Sequence, residues 1–145
     1  MRTFDSSDFR ALAKTTNYDV VAEKSTLETF TAPSGALSVT LESKEFTSIC
    51  PVTGQPDYGS VTIIYMPNAR CLESKSLKLY LGAFRSEAGF WETLASRIGQ
   101  DLVEVLDPIW LSVAMSMNAR GGITIEARWD YPEGGRETKH ADTQT

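Results

Sequence analysis

The sequence predicts an α+β domain: an antiparallel sheet with two helices on one face. Three observations predict it. Alternating apolar runs precede residue 67, two apolar stripes of helical spacing fill the middle, and a second alternating pair surrounds a Gly-Gly step. From Ala36, Leu37, Val39 and Leu41 alternate with Ser, Thr and Glu, the period of a half-buried strand. After the loop CPVTGQPDYG, Val61, Ile63 and Tyr65 repeat that period until Pro67 stops it. In SKSLKLYLGAFRSE, Leu77, Tyr80, Leu81 and Phe84 recur at spacings of three and four and predict a helix. Gly89 separates it from a second stripe of Trp91, Leu94, Ala95, Ile98, Leu102, Val105 and Leu106, which Pro108 ends. Leu111, Val113, Met115 and Met117 then alternate, and Ile123 and Ile125 alternate back beyond Gly121-Gly122, a hairpin. The order is ββααββ. Residues 1–35 read as an extended arm, 36–130 as the domain, and 131–145 as a polar, disordered tail. An open four-stranded sheet leaves two unpaired edges, which association with other subunits would cover.

With 145 residues the chain is long enough for one domain with a sizeable core. A net charge of −5 suggests no general affinity for a nucleic-acid backbone. No apolar run approaches the roughly 20 residues that cross a bilayer, and MRTFDSSDFRALAK lacks the apolar stretch of a secretory signal. Two cysteines without close spacing fit a reducing cytoplasm better than a disulfide scaffold. Cys50, Cys71 and the single His140, which lies in the tail, are too few and too scattered for a zinc site. The expectation is a cytoplasmic protein without metal, membrane or direct nucleic-acid partner, whose chemistry rests on cysteine, carboxylates and a bound cofactor.

The stretch CPVTGQPD puts Cys50 at the mouth of a stiff, turn-rich loop, seven residues before Asp57. Free cysteine is commonly a buried packing residue, but an acid within reach can protonate whatever a thiolate has attacked. No histidine is available to form a Cys-His pair, so the electrophile should be one that a thiol attacks unaided. Cys71 has no comparable context and reads as packing. Glu92 in the first turn of the second helix is explained by the helix dipole alone, yet a carboxylate can also accept two parallel N–H bonds from a guanine-like edge. Phe90 and Trp91 could stack on such a ring or belong to the core. Lys75 and Lys78 would ordinarily be a solvated helix face. On residue types alone the chain is a binding domain with a cysteine of interest.

EFTSICPVTGQPDYG at 45–59, ESKSLKLYLGAFR at 73–85, FWETLASRIGQDL at 90–102, DPIWL at 107–111 and RGGI at 120–123 together resemble the 7-cyano-7-deazaguanine reductases, the QueF nitrile reductases, in their short single-module branch. The resemblance implies the tunnelling fold, a ββααββ unit whose subunits join their sheets into a barrel with sites between them, hence a homo-oligomer. It implies NADPH-dependent reduction of the nitrile of 7-cyano-7-deazaguanine to 7-aminomethyl-7-deazaguanine, on the route to queuosine in tRNA. By the same resemblance Cys50 is the nucleophile that forms a thioimidate and Asp57 is the proton donor. Leu72, Glu73 and Ser74 match one segment of the substrate site, and Trp91 and Glu92 match the other. Lys75 and Lys78 lie in the stretch associated with NADPH. Many relatives carry histidine where this chain has Trp91, which can shape a pocket but cannot shuttle a proton. Two other readings are a non-reductive enzyme using the same thioimidate on deazaguanine in tRNA or DNA, and a non-catalytic purine- or pterin-binding oligomer. The intact ESKSLKLY and the Cys50–Asp57 pair favour the reductase.

Overall fold

Period-two runs become strands and period-3.6 runs become helices along the whole of residues 22–134, the part of the chain that the computed structural model describes. The elements are β1 (Thr29–Thr31), β2 (Val39–Ile49), β3 (Pro56–Met66), β4 (Arg70–Leu72), α1 (Ser74–Ala83), α2 (Trp91–Leu106), β5 (Trp110–Arg120) and β6 (Ile123–Tyr131). Strands β2, β3, β5 and β6 form one antiparallel sheet in that spatial order, so the α+β class holds. β1 and β4 add a small antiparallel pair that periodicity could not reveal, because three residues carry no readable period. Residues 1–21, most of the segment read as an arm, lie outside the described residues, as does the tail beyond residue 134. Within that arm, Ala22 and Leu27 are buried in the core and β1 pairs with β4.

One face of the sheet is the core. Val61, Ile63 and Tyr65 of β3 and Leu111, Val113 and Met115 of β5 are buried against Leu77, Tyr80 and Leu81 of α1 and Leu94, Ile98, Leu102 and Leu106 of α2. Each such side chain contributes about 1.5–3 kcal/mol on burial, so tertiary packing rather than helix propensity holds the helices in place. α2 ends where Asp107 takes a left-handed conformation (φ 46°) and its amide donates to the Val103 carbonyl at 2.9 Å. Pro108 then prevents continuation.

A bulge in β2 decides what reaches the far end of the sheet. Before it, Val39, Leu41 and Ser43 face Tyr65, Ile63 and Val61; after it, Phe46 faces Gly59 and Ser48 faces Asp57. The core-facing set therefore switches from odd to even residues between Ser43 and Phe46. Without that extra residue, Phe46 and Ser48 would point away from the helices.

Gly59 leaves the space that Trp91 occupies. A Cβ there would lie 2.0 Å from the Ser116 carbonyl oxygen and 2.7 Å from the Trp91 ring. Neither a backbone carbonyl nor a fully buried indole moves cheaply, so Gly59→Ala should destabilise the fold by about 1–3 kcal/mol. A fall in the urea midpoint at unchanged slope is the expected result.

Candidate functional site

The loop after β2 is closed by its own backbone. The Cys50 amide donates to the Gln55 carbonyl at 2.8 Å, and the Gly54 amide donates to the Cys50 carbonyl at 2.9 Å. Gly54 has φ +70°, a conformation that a side chain would strain. This turn aims dipoles at the sulfur. The Thr53 hydroxyl, then the backbone amides of Thr53 and Val52, and to a smaller degree the Arg120 guanidinium, bring the Cys50 thiol down to about 7 against the opposing effect of burial. That favours the thiolate at neutral pH relative to an ordinary thiol, which is ionised to only a few per cent.

Asp57, at the start of β3, is only 3% exposed and forms an ion pair with Arg120, the last residue of β5. The same Arg120 is the smallest of the influences that lower the Cys50 thiol. Across the β2–β3 ladder Asp57 faces Ser48, whose hydroxyl accepts the Trp91 indole N–H at 2.9 Å. Trp91 is fully buried and meets Phe46 edge-on, with ring centroids 5.4 Å apart. The start of α2 is fixed beside this loop by the backbone as well. The Ile49 amide donates to the Glu87 carbonyl at 2.8 Å and the Gly89 amide donates to the Ile49 carbonyl at 3.1 Å, a short parallel bridge. Cys50, Asp57, Trp91, Glu92 and Arg120 thus gather at one end of the sheet. Glu92 is exposed there.

The other sequence-predicted residues lie elsewhere. The Leu72 amide donates to the Tyr65 hydroxyl at 2.8 Å, and Tyr65 lies eight residues along β3 from Asp57, roughly 25 Å at a strand's rise. Glu73 is the N-cap of α1, accepting the amides of Lys75 and Ser76 at 2.7 Å each, and these bonds hold its carboxyl below the usual range. Ser74, Lys75 and Lys78 are exposed beside it. A groove of about 320 Å³ runs between α1 and β2; Ser74, Lys78 and Arg85 give it polar walls, and Leu41, Leu77 and Leu81 an apolar floor. Within one chain the structure brings Cys50 and Asp57 together with the start of α2, and leaves Leu72, Glu73, Ser74, Lys75 and Lys78 in a second cluster.

Sequence reasoning by residue type missed Arg120, Thr53 and Ser48. A cation immediately before a Gly-Gly turn is the one signal that could have marked Arg120. Among the described residues no three His, Cys, Asp or Glu side chains gather into a metal-binding group, and no helix is long and apolar enough to cross a membrane.

A family model described as QueF-like protein matches residues 56–135. A Frankia casuarinae protein named NADPH-dependent 7-cyano-7-deazaguanine reductase is 46% identical over 121 residues, covering 83% of this chain and 96% of that protein. A Helicobacter pylori protein of the same name is 42% identical over 127 residues, covering 86% of each. A Streptococcus thermophilus protein, also so named, is 51% identical over 87 residues, covering 60% of this chain and 53% of that protein, so the match spans about half of that relative's length. The crystal structure of the archaeosine synthase QueF-Like in the apo form superposes with a TM-score of 0.61 at 20% identity, covering 64% of this chain and 91% of that one, a likeness of fold.

Iodoacetamide labelling of the folded protein should rise with pH through a midpoint of about 7 and fall on Cys50. Both cysteines are buried, Cys50 at 5% and Cys71 at 3% exposed, so the expected contrast comes from the loop's donors at Cys50 and not from access, and Cys71 should label more slowly. Peptide mapping of the alkylated protein across pH 5–9, roughly two units either side of the midpoint, checks this. Equal labelling of both cysteines would contradict the loop's effect on Cys50.

Proposed function

The chain belongs to the QueF-like protein family, and from that premise we propose that it reduces the nitrile of 7-cyano-7-deazaguanine to the amine of 7-aminomethyl-7-deazaguanine with NADPH. The observation that carries the reading is the Cys50 thiol, lowered to about 7 at a loop whose neighbouring strand supplies the buried Asp57. The sulfur bonds to the nitrile carbon and one carbon–nitrogen π pair moves to nitrogen, which takes a proton from Asp57. The product of that step is a thioimidate on Cys50. Two molecules of NADPH, bound in turn, would each supply one hydride to the captured carbon, and the sulfur would leave before the second transfer. Val52, Thr53 and Arg120 favour the sulfur anion both before attack and when it leaves. No histidine is needed for that activation, because hydrogen-bond donors of the turn perform it.

The chain's residues fit the cofactor. The α1 groove offers Lys78 and Arg85 beside an apolar floor, with Glu42 and Glu45 also on its wall and Lys75 exposed at the same helix start. The first amides of α1 are already taken by the Glu73 carboxylate. Phosphate binding therefore falls to the lysine side chains rather than to the helix N-terminus. Glu92, exposed at the start of α2, is placed to accept N–H bonds from the deazaguanine edge. Trp91 takes part by position, since it is buried and holds Glu92 beside the cysteine loop.

The two clusters become one site only if a second copy supplies Leu72, Glu73 and Ser74 to the Cys50 end of the first. Exposed apolar side chains mark that end. Val52 in the loop, Tyr58 after Asp57, Phe90 before α2 and Ile123 after the Gly-Gly turn are each more than half exposed, the kind of rim that a partner covers. The unpaired edges of β2 and β6 fit the same homo-oligomer.

Incubation with 7-cyano-7-deazaguanine should oxidise two NADPH for each amine formed, followed by absorbance and product mass together. Binding of the nitrile without NADPH oxidation would remove the reductase reading. Asp57→Asn should bind the nitrile while slowing its capture by about 100- to 10,000-fold, the usual worth of a general acid. For the shared site, Cys50→Ala and Glu73→Gln should each be inactive alone. Subunits of the two variants, mixed and reassembled, should regain activity above either, and no recovery in confirmed mixed oligomers would argue for a site within one chain.

A further inference from the structure

The reductase reading gives Cys50 and Asp57 roles and leaves open what holds the buried Asp57 carboxylate in place. We propose that Arg120 is the positioning residue for capture of the nitrile: its guanidinium holds the Asp57 carboxylate beside the Cys50 sulfur, so that the thiol's proton passes to Asp57 and from there to the nitrile nitrogen. The inference rests on the reductase reading for its substrate, and on the geometry at the end of β5 for everything else.

Arg120 is placed by the hairpin. The β5–β6 register slips between Met117 and Arg120, and Gly121 and Gly122 follow with φ of +58° and +77°. The slip re-aims the last side chain of β5. Its guanidinium reaches Asp57 Oδ1. The Lys24–Glu104 pair joins two well-exposed side chains, whereas Arg120 meets a carboxylate that is 3% exposed. A charge buried to that extent is costly unless it is paired and hydrogen-bonded. The same guanidinium acts on the Cys50 sulfur, together with the Thr53 hydroxyl and the amides of Val52 and Thr53. Glu92 is the exposed carboxylate at the neighbouring start of α2.

The proton balance follows from this arrangement. The thiol gives its proton to Asp57 Oδ2, the oxygen that Arg120 does not hold, as the sulfur pair bonds to the nitrile carbon. Asp57 then returns the proton to the nitrogen that has received the π pair. Nothing is oxidised or reduced, and Asp57 ends as the carboxylate it was.

The test compares wild type, Arg120→Gln and Arg120→Lys without NADPH. Two quantities are read: the pH midpoint of Cys50 alkylation by iodoacetamide, and the rate of adduct formation with 7-cyano-7-deazaguanine by intact mass. In Arg120→Gln the alkylation midpoint should move up from about 7, and adduct formation at neutral pH should slow by at least about tenfold. Arg120→Lys should restore much of the alkylation profile through its charge, and less of the adduct rate, because an ammonium lacks the planar fork. An unchanged midpoint and an unchanged adduct rate in Arg120→Gln would overturn the proposal, even if the KM for NADPH rose. Should Arg120→Gln fail to fold by circular dichroism, Arg120→Lys decides: an adduct rate below wild type supports the role and an equal rate refutes it. If wild type itself forms no adduct, the reductase reading and the proton relay fall, and the alkylation midpoints still show whether Arg120 acts on the sulfur.

Discussion

The short parallel bridge between Ile49 and the Glu87–Gly89 segment sets the geometry of the end of the sheet that carries Cys50. Its two backbone hydrogen bonds, 2.8 and 3.1 Å, join the last residue of β2 to the residues that lead into α2. They leave Phe90 and Trp91 only one step from the Cys50 loop. Glu87 reinforces the bridge with its side chain, which accepts the Ala22 amide at 2.6 Å and pairs with Arg97 of α2. Trp91 then turns inward over Gly59 and donates to Ser48, the residue opposite Asp57. Each contact fixes the next, from Ile49 through Trp91 and Ser48 to the strand that carries Asp57.

Upon that frame the chemistry is electrostatic. A Cys-His pair activates sulfur by giving it a base; this chain uses donors held by a five-residue turn. The hydroxyl and amide of Thr53 and the amide of Val52 favour the sulfur anion, and Gly54 lets the chain turn back to close on Cys50. Preorganised dipoles of this kind need no rearrangement as charge develops.

Much of the fold was legible in the sequence. Val61, Ile63 and Tyr65 fell on the buried face as their alternation required, and the stripe from Trp91 to Leu106 became a single helix that Pro108 follows. Cys50 and Asp57 stood out as residues flanking one short, stiff loop, and both are buried. The bulge was not. Ser43 and Phe46 lie on the same face only because Lys44 and Glu45 together oppose one residue of β3, and no residue type announces such a step. Nor could the spacing tell that Trp91 would be buried, because an aromatic at the first position of an amphipathic helix fits either a pocket wall or a core. The separation of Leu72–Ser74 from Cys50 was hidden for another reason. A family resemblance groups residues by sequence segment, whereas seven residues of β3 lie between Asp57 and Tyr65 and separate the two ends within one chain.

Capture of the nitrile by Cys50 is tested most directly by the intact mass of the protein after incubation with 7-cyano-7-deazaguanine in the absence of NADPH. A gain of one substrate mass per occupied site, located on the peptide carrying Cys50 and absent from Cys50→Ala, is the predicted result. An adduct on Cys71, or an equal gain in Cys50→Ala, would contradict it.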